Sequence, residues 1–210
     1  MQILLFFLAI VVLAAAVGGL VSRRYSLPCP VWLRWMVELD NPFTKTNRAA
    51  VILEFLNIQP GMAIIDIGCG PGRVTIPAAR ATGDTGRVKA VDIQAGMLER
   101  AKVKAAAAHL QNIEFLCSGI GEDTLGNNEF DRALLVTVLG EIPDQKTAMK
   151  EIFEALKPGG LLSITEVIFD PHFQRRQTVT QLAESAGFQE KAFYGNAIAY
   201  TLHVEKPESR

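Results

Sequence analysis

The hydrophobic pattern of this chain is lopsided. Residues 3–21 contain no charged side chain, whereas every later apolar run is short and bounded by polar or turn-forming residues. As a helix rising about 1.5 Å per residue, the first run reaches the ~30 Å of a bilayer's hydrocarbon core. Met1-Gln2 before it are uncharged and Arg23-Arg24 follow it, so residues 1–24 read as an uncleaved single-pass anchor with the catalytic domain on the cytoplasmic side. A cleaved signal peptide is the rival reading, since Ala14-Ala15-Ala16 offer small residues near a plausible cleavage point, but it wants a basic start. Residues 25–45 read as a juxtamembrane segment. Pro28 and Pro30 interrupt helix there, and Trp32 and Trp35 fit either the headgroup level or an amphipathic helix packed on the domain.

From residue 46 the pattern alternates. A helical stretch over 46–56, the turn Gln59-Pro60-Gly61 and a buried strand over 63–67 come first. A glycine loop then opens a helix over 72–81, followed by a strand over 88–93 and an alanine-rich helix over 96–109. Strands are predicted over 113–117 and 132–138, a helix over 144–156 closed by Lys157-Pro158-Gly159-Gly160, and a strand over 161–167. A helix over 178–186 precedes two strand-like runs, 188–194 and 197–204. Alternating strands and helices joined by short loops predict an α/β domain over 46–210: a Rossmann-like, mostly parallel sheet with helices on both faces, preceded by one transmembrane helix. In such sheets ligands sit beyond the carboxyl ends of the strands, where the strand order reverses.

Composition narrows the function classes. The chain has 210 residues, enough for one such domain and a short appendage. Its net charge of -1, with acids and bases interspersed, supplies no basic field for nucleic acid. Cys29, Cys69 and Cys117 are odd in number and far apart, which fits neither a disulfide framework nor a zinc site and points to a reducing compartment. His109, His172 and His203 show no metal-ligand spacing, so a metal mechanism is not expected. The pattern leaves the oligomeric state open.

The chemistry is concentrated in residues 64–73, an apolar strand running into Gly68-Cys69-Gly70-Pro71-Gly72-Arg73. Glycines there allow a tight turn and close approach of backbone to a ligand. A nicotinamide fingerprint would need glycine where Arg73 stands. Asp66 precedes the loop, and Asp92 ends the second strand, where a carboxylate can accept hydrogen bonds from ribose hydroxyls.

With the Leu156-Lys157-Pro158-Gly159-Gly160 turn in the expected order, residues 47–207 resemble class I S-adenosylmethionine (SAM)-dependent methyltransferases, and most of all the branch that includes ubiquinone and menaquinone methyltransferases. The resemblance implies SAM as cofactor, held by Asp66, Gly68, Cys69, Gly70 and Gly72. It further implies Asp92 at the ribose, Ile93 and Met97 against adenine, Gly119 and Ile120 beyond the third strand, and Thr137 beyond the fourth. The family's usual Gly-Asp pair after the third strand is replaced here by Ser118-Gly119, so the adenine-binding acid is missing from its place and Glu122 is an alternative. Groups near the acceptor should follow the fourth and fifth strands: Thr137, Glu141 and Asp144, then Glu166, Asp170 and His172. Glu141 stands where relatives often carry a polar residue near the methyl group. Glu166 ends an apolar strand and is expected to turn into the cleft, while an imidazole such as His172 suits acid–base work but, alone in a loop, is usually solvated. Thr46 and Arg48 lie where the cofactor is covered in relatives.

The expected activity is methylation of a small lipophilic acceptor at the membrane, a quinone precursor or a lipid. A membrane-anchored SAM-binding protein without turnover is the alternative, and an NAD(P)-dependent reductase, disfavoured by Arg73, is the third.

Overall fold

A computed structural model describes Phe6, Cys29, Glu38, Leu39, Asp40 and residues 44–208. Apart from Phe6, the expected transmembrane helix at 3–21 lies outside the described residues, as does most of the juxtamembrane segment. Among the described residues no helix is long and apolar enough to cross a membrane.

Five parallel strands form the centre of the sheet: β1 (Ala63–Ile67), β2 (Arg87–Asp92), β3 (Ile113–Cys117), β4 (Phe130–Val136) and β5 (Leu156–Val167). Two further strands, β6 (Gln189–Gly195) and β7 (Ala199–Glu205), form a hairpin whose second strand runs antiparallel to β5. The order is β3-β2-β1-β4-β5-β7-β6, so it reverses between β1 and β4. That reversal opens a crevice at the carboxyl ends of these two strands.

Every residue of β1 is buried, because helices cover both faces. Ile64 packs with Ile52, Leu56, Ala78 and Val88 beneath α1 (Ala49–Leu56) and α2 (Thr75–Thr82). Ile65 and Ile67 pack with Leu135, Ile164, Met149 and Ile152 on the opposite face. The helices there are α4 (Gln145–Ala155) and α5 (Arg176–Ser185), while α3 (Ala95–Ala107) packs through Leu98 on Ala90 of β2 and on Cys69 of the glycine loop.

The expected elements recur with shifted ends. α2 starts at Thr75 and not at Gly72, because Gly68, Gly70 and Gly72 all take positive φ and cannot be helical. The Lys-Pro-Gly-Gly turn is absorbed into β5, where Gly159 N–H donates to Lys206 O at 2.8 Å and Lys206 N–H to Gly160 O at 2.9 Å.

The connection from β3 to β4 owes its shape to a residue that the pattern did not single out. Glu151, buried on α4, accepts hydrogen bonds from the backbone N–H groups of Gly121, Thr124 (2.6 Å) and Leu125 (3.1 Å). Replacing Glu151 by Ala strands three donors, and a lost charge-assisted network of this kind costs about 3 kcal/mol. Glu151→Ala is therefore expected to lower the unfolding midpoint by several degrees, with Glu151→Gln, which keeps an acceptor oxygen, falling between it and the parent. Hydrogen exchange at Gly121, Thr124 and Leu125 as slow in Glu151→Ala as in the parent would refute the role.

Candidate active site

Beyond β1 the chain turns through Gly68 (φ 66°), Gly70 (φ 53°) and Gly72 (φ 80°). A Cβ on Gly68 would collide with the Val138 side chain, whereas one on Gly70 would meet nothing within 4 Å. The loop is thus packed below and open above, leaving space for a ligand against its backbone. Gly68 and Cys69 donate their N–H groups to Val91 O at 2.8 and 3.0 Å, which ties the loop to β2.

Asp92 completes this tie. Its Oδ2 accepts from Gly70 N–H and its Oδ1 from Gln94 N–H, both at 2.8 Å, and burial pushes its carboxyl up from the usual range. Asp66 is an internal strut: Thr75 Oγ1 donates to its Oδ2 at 2.6 Å, and burial raises it to about 6. Cys69 is buried behind the loop, its thiol pushed up by desolvation, in keeping with a packing role.

Arg73, read from the sequence only as a mismatch to nicotinamide sites, is a clasp. Its guanidinium donates to Asp40 Oδ1 at 2.8 Å, to Asn47 O at 2.6 Å and to Asn47 Oδ1 at 2.9 Å. Asp40 Oδ1 also accepts Ala49 N–H at 3.0 Å, at the start of α1. The glycine loop is thereby joined to the segment preceding the domain. Thr46 belongs to the same segment and accepts from Thr201 Oγ1 through its carbonyl at 3.4 Å; neighbouring Arg48 is half-buried.

At the expected adenine side, Ile93 is 64% exposed and Met97 only 2%. Ile120 packs against the main core. A Cβ on Gly119 would lie 3.0 Å from Glu122 Oε1, and Ser118 Oγ donates to Glu122 Oε2 at 3.3 Å. The Glu122 carboxylate therefore stands beside the point from which an aspartate at 119 would project.

At the carboxyl end of β4, Thr137 takes φ 56°, a left-handed conformation that a β-branched residue adopts only under constraint. Its N–H donates to Thr165 O at 2.8 Å, and its Oγ1 donates to Val136 O at 2.7 Å. A single 3-10 turn, Leu139–Glu141, follows. Gly140 in this turn lies so close to the His172 carbonyl that any Cβ there would collide with it. The loops after β4 and β5 are in backbone contact, and this contact brings two of the expected site residues together. His172 is buried, with Nδ1 3.6 Å from Asp170 Oδ1 and 3.8 Å from Glu141 Oε1. A candidate for acid–base work that, alone in a loop, would usually be solvated, it is instead enclosed by two carboxyl groups. Asp170 Oδ1 also accepts His172 N–H at 2.7 Å. Glu141 rises to about 8 through burial, helped by the charges of Asp170 and Asp92.

Glu166 lies behind this group. It is buried beneath the loop after β5, where its Oε2 accepts Gln174 N–H at 2.9 Å while its Oε1 has no partner, and burial raises it to about 8. Asp144 caps α4 by accepting from Thr147 N–H at 3.0 Å. Cys29, far from the domain in sequence, reaches the same mouth: its carbonyl accepts from Gln94 Nε2 at 2.9 Å and its N–H donates to Glu141.

A crevice at the reversal of a parallel sheet, with a glycine loop on one lip and an acid–imidazole group on the other, defines a Rossmann-like cofactor-dependent enzyme domain. Residues 58–204 match the family described as "Methyltransferase domain", and the chain belongs to that family. It carries a SAM-dependent methyltransferase domain. A demethylmenaquinone methyltransferase of Staphylococcus aureus (strain MRSA252) is 32% identical over 115 residues, covering 55% of this chain and 47% of that protein. The chain spans about half the length of the curated relatives it matches. A SAM-dependent methyltransferase from Aquifex aeolicus shares the fold with TM-score 0.75 at 19% identity, over 85% of this chain and 99% of that one. So does Burkholderia thailandensis 1,6-didemethyltoxoflavin-N1-methyltransferase, solved with S-adenosylhomocysteine and 1,6-didemethyltoxoflavin, with TM-score 0.62 at 20% identity over 79% and 80% of the two chains.

The raised carboxyls make stability depend on pH with a definite sign. Glu141 and Glu166 ionise near 8 in the folded protein against 4.5 ordinarily, so the unfolded chain releases these protons first. Their contribution is complete below about 4.5 and is lost as pH rises to about 8, with Asp66, Asp92 and Asp170 acting in the same sense. The unfolding midpoint should fall across that range, and Glu166→Gln, which cannot ionise, should flatten the fall. Equal slopes for parent and variant would show that Glu166 does not carry it.

Proposed function

We propose that this protein transfers a methyl group from SAM to a small, lipophilic, quinone-related acceptor at a membrane, and that His172 takes up the proton the acceptor releases. The observation that carries the proposal is the buried His172, flanked by Asp170 and Glu141 and delivered beside the cofactor crevice by its contact with Gly140. That the Staphylococcus aureus relative is a demethylmenaquinone methyltransferase supports the acceptor class.

When bound, SAM supplies a methyl group already activated on a sulfonium, so the protein's task is alignment and exclusion of water. The open backbone above Gly70 fits such a ligand, with Asp92 beside it. In this reading Glu122 takes the adenine-side role of the absent Gly-Asp acid. Asp170 orients the imidazole, and Glu141, held largely protonated near neutrality, leaves the pocket less charged and more hospitable to an apolar ring. The uncharged run at residues 3–21 would anchor the chain, with the domain on the cytoplasmic face, and confine enzyme and acceptor to one surface.

Transfer of label from methyl-labelled SAM to a demethylmenaquinone acceptor in vesicles tests the activity. His172→Ala should lose about a hundredfold or more in kcat with SAM affinity unchanged. SAM binding without any transfer by the parent protein would favour the alternative of a binding protein without turnover.

The adenine assignment is tested separately by calorimetry. Glu122→Ala should weaken SAM binding by roughly tenfold or more, as for loss of a charge-assisted acceptor. Gly119→Asp alone sets two carboxylates side by side and should also weaken binding, whereas the double variant, with one carboxylate restored, should recover it. An unchanged dissociation constant in Glu122→Ala would remove Glu122 from the cofactor site.

A further inference from the structure

The rim of the crevice carries large apolar side chains that the catalytic reading does not use. Ile168 and Phe169, immediately after β5, are 48% and 71% exposed, and Ile198, at the tip of the β6–β7 hairpin, is 50% exposed. Ile168 N–H donates to Ile198 O at 2.8 Å, so the two loops present these residues as one patch.

The patch stands on a braced framework. Asn196 Oδ1 accepts from Ile198 N–H at 3.0 Å and from Ala199 N–H at 3.2 Å, fixing the hairpin tip. Asp170 N–H donates to Val167 O at 3.0 Å, and Tyr200 Oη donates to Gln174 O at 2.8 Å, fixing the other loop from both ends. Its acid, Asp170, is turned inward to His172, while Arg175 is exposed at the start of α5. An exposed apolar patch on a braced framework suits a lipid surface.

The chain's own course says which surface meets this rim. Cys29 is held at the crevice mouth by Gln94 and Glu141. The apolar run ends at residue 21, eight residues earlier. Eight extended residues span at most ~28 Å. A bilayer holding residues 3–21 must lie within that reach of the mouth, and Phe169 and Ile198 stand at the same carboxyl end of the sheet.

We propose that Ile168, Phe169 and Ile198 form a membrane-docking rim that seats the mouth of the active site against the lipid surface, so that a lipophilic acceptor passes from bilayer to crevice without crossing water. The proposal rests on the membrane-acceptor reading above and adds a second contact, independent of residues 1–24, that sets the domain's orientation. Insertion to the ~5–10 Å depth typical of interfacial elements would place Phe169 at the level of the upper acyl chains.

The test uses the full chain with Trp32→Phe and Trp35→Phe, carrying a single tryptophan at either Phe169→Trp or Val103→Trp, the latter an exposed position on α3. Each is mixed with vesicles of phosphatidylcholine and phosphatidylglycerol bearing brominated acyl chains, after calorimetry has shown that SAM binding is intact. The expected result is flotation of both proteins with the vesicles, with loss of fluorescence and a blue shift for Phe169→Trp alone. In parallel, Phe169→Glu/Ile198→Glu should lose transfer to vesicle-embedded acceptor but keep it for detergent-dispersed acceptor. Flotation with equal quenching at the two positions overturns the rim and leaves the anchor standing. Failure to float overturns both the rim and the membrane reading, and an unimpaired double-glutamate variant on vesicles overturns the rim.

Discussion

The double hydrogen bond accepted by Asp92 is the constraint on which the cofactor half of the site depends. Its two oxygens hold Gly70 N–H and Gln94 N–H, so the loop leaving β1 and the turn leaving β2 share one buried anchor. With Gly68 fixed against Val138 and Asp66 bonded to Thr75, the loop is pinned from below and its upper backbone stays clear. A pre-formed surface of this kind spares a ligand the cost of ordering it. Arg73 extends the same framework outward to Asp40 and Asn47, so that the segment before the domain is joined to the loop and not merely draped over it.

The acceptor half is built on an electrostatic tension. Asp92, Glu141, Glu166 and Asp170 lie close enough to influence one another, and burial raises all four. Like charges crowded into a low-dielectric space resist simultaneous ionisation, so the group retains protons where isolated carboxylates would not. Thr137, held in a left-handed conformation at the edge of this group, shows that backbone strain is concentrated at the same place. Local stability is sacrificed there, within a sheet whose central strands are buried on both faces.

The sheet is legible because strand burial leaves a direct pattern: mainly apolar runs for β1 and β4, broken by Asp66 in the first and by Asp131 and Arg132 at the start of the second, with glycine and proline marking turns between strands. The glycine loop and Asp92 were legible for a related reason, since their roles follow from positions along one strand–loop–helix unit. Arg73 and Glu151 were not, because their partners lie 33 and about 30 positions away and nothing local marks the pairing. Glu166 illustrates the other limit. Its place at the end of a strand suggested a side chain in the crevice, but the loop after β5 folds back over it, and the packing of a loop is set by contacts that periodicity does not encode. His172 shows the same limit: the sequence marks it as a candidate for acid–base work, but its enclosure depends on a neighbour 32 positions earlier, Gly140.

That neighbour has a consequence for how such chains can diverge. Because the backbone at 140 and the carbonyl at 172 are in contact with no space for a β-carbon, position 140 cannot gain a side chain while the loop after β5 keeps its path. A lineage that acquires a larger residue at 140 must lengthen or re-route the loop carrying its imidazole, or lose that group from the pocket. Acceptor preference among relatives should therefore track paired changes in these two loops, while the glycine loop and Asp92, on the other lip of the crevice, stay under a separate constraint.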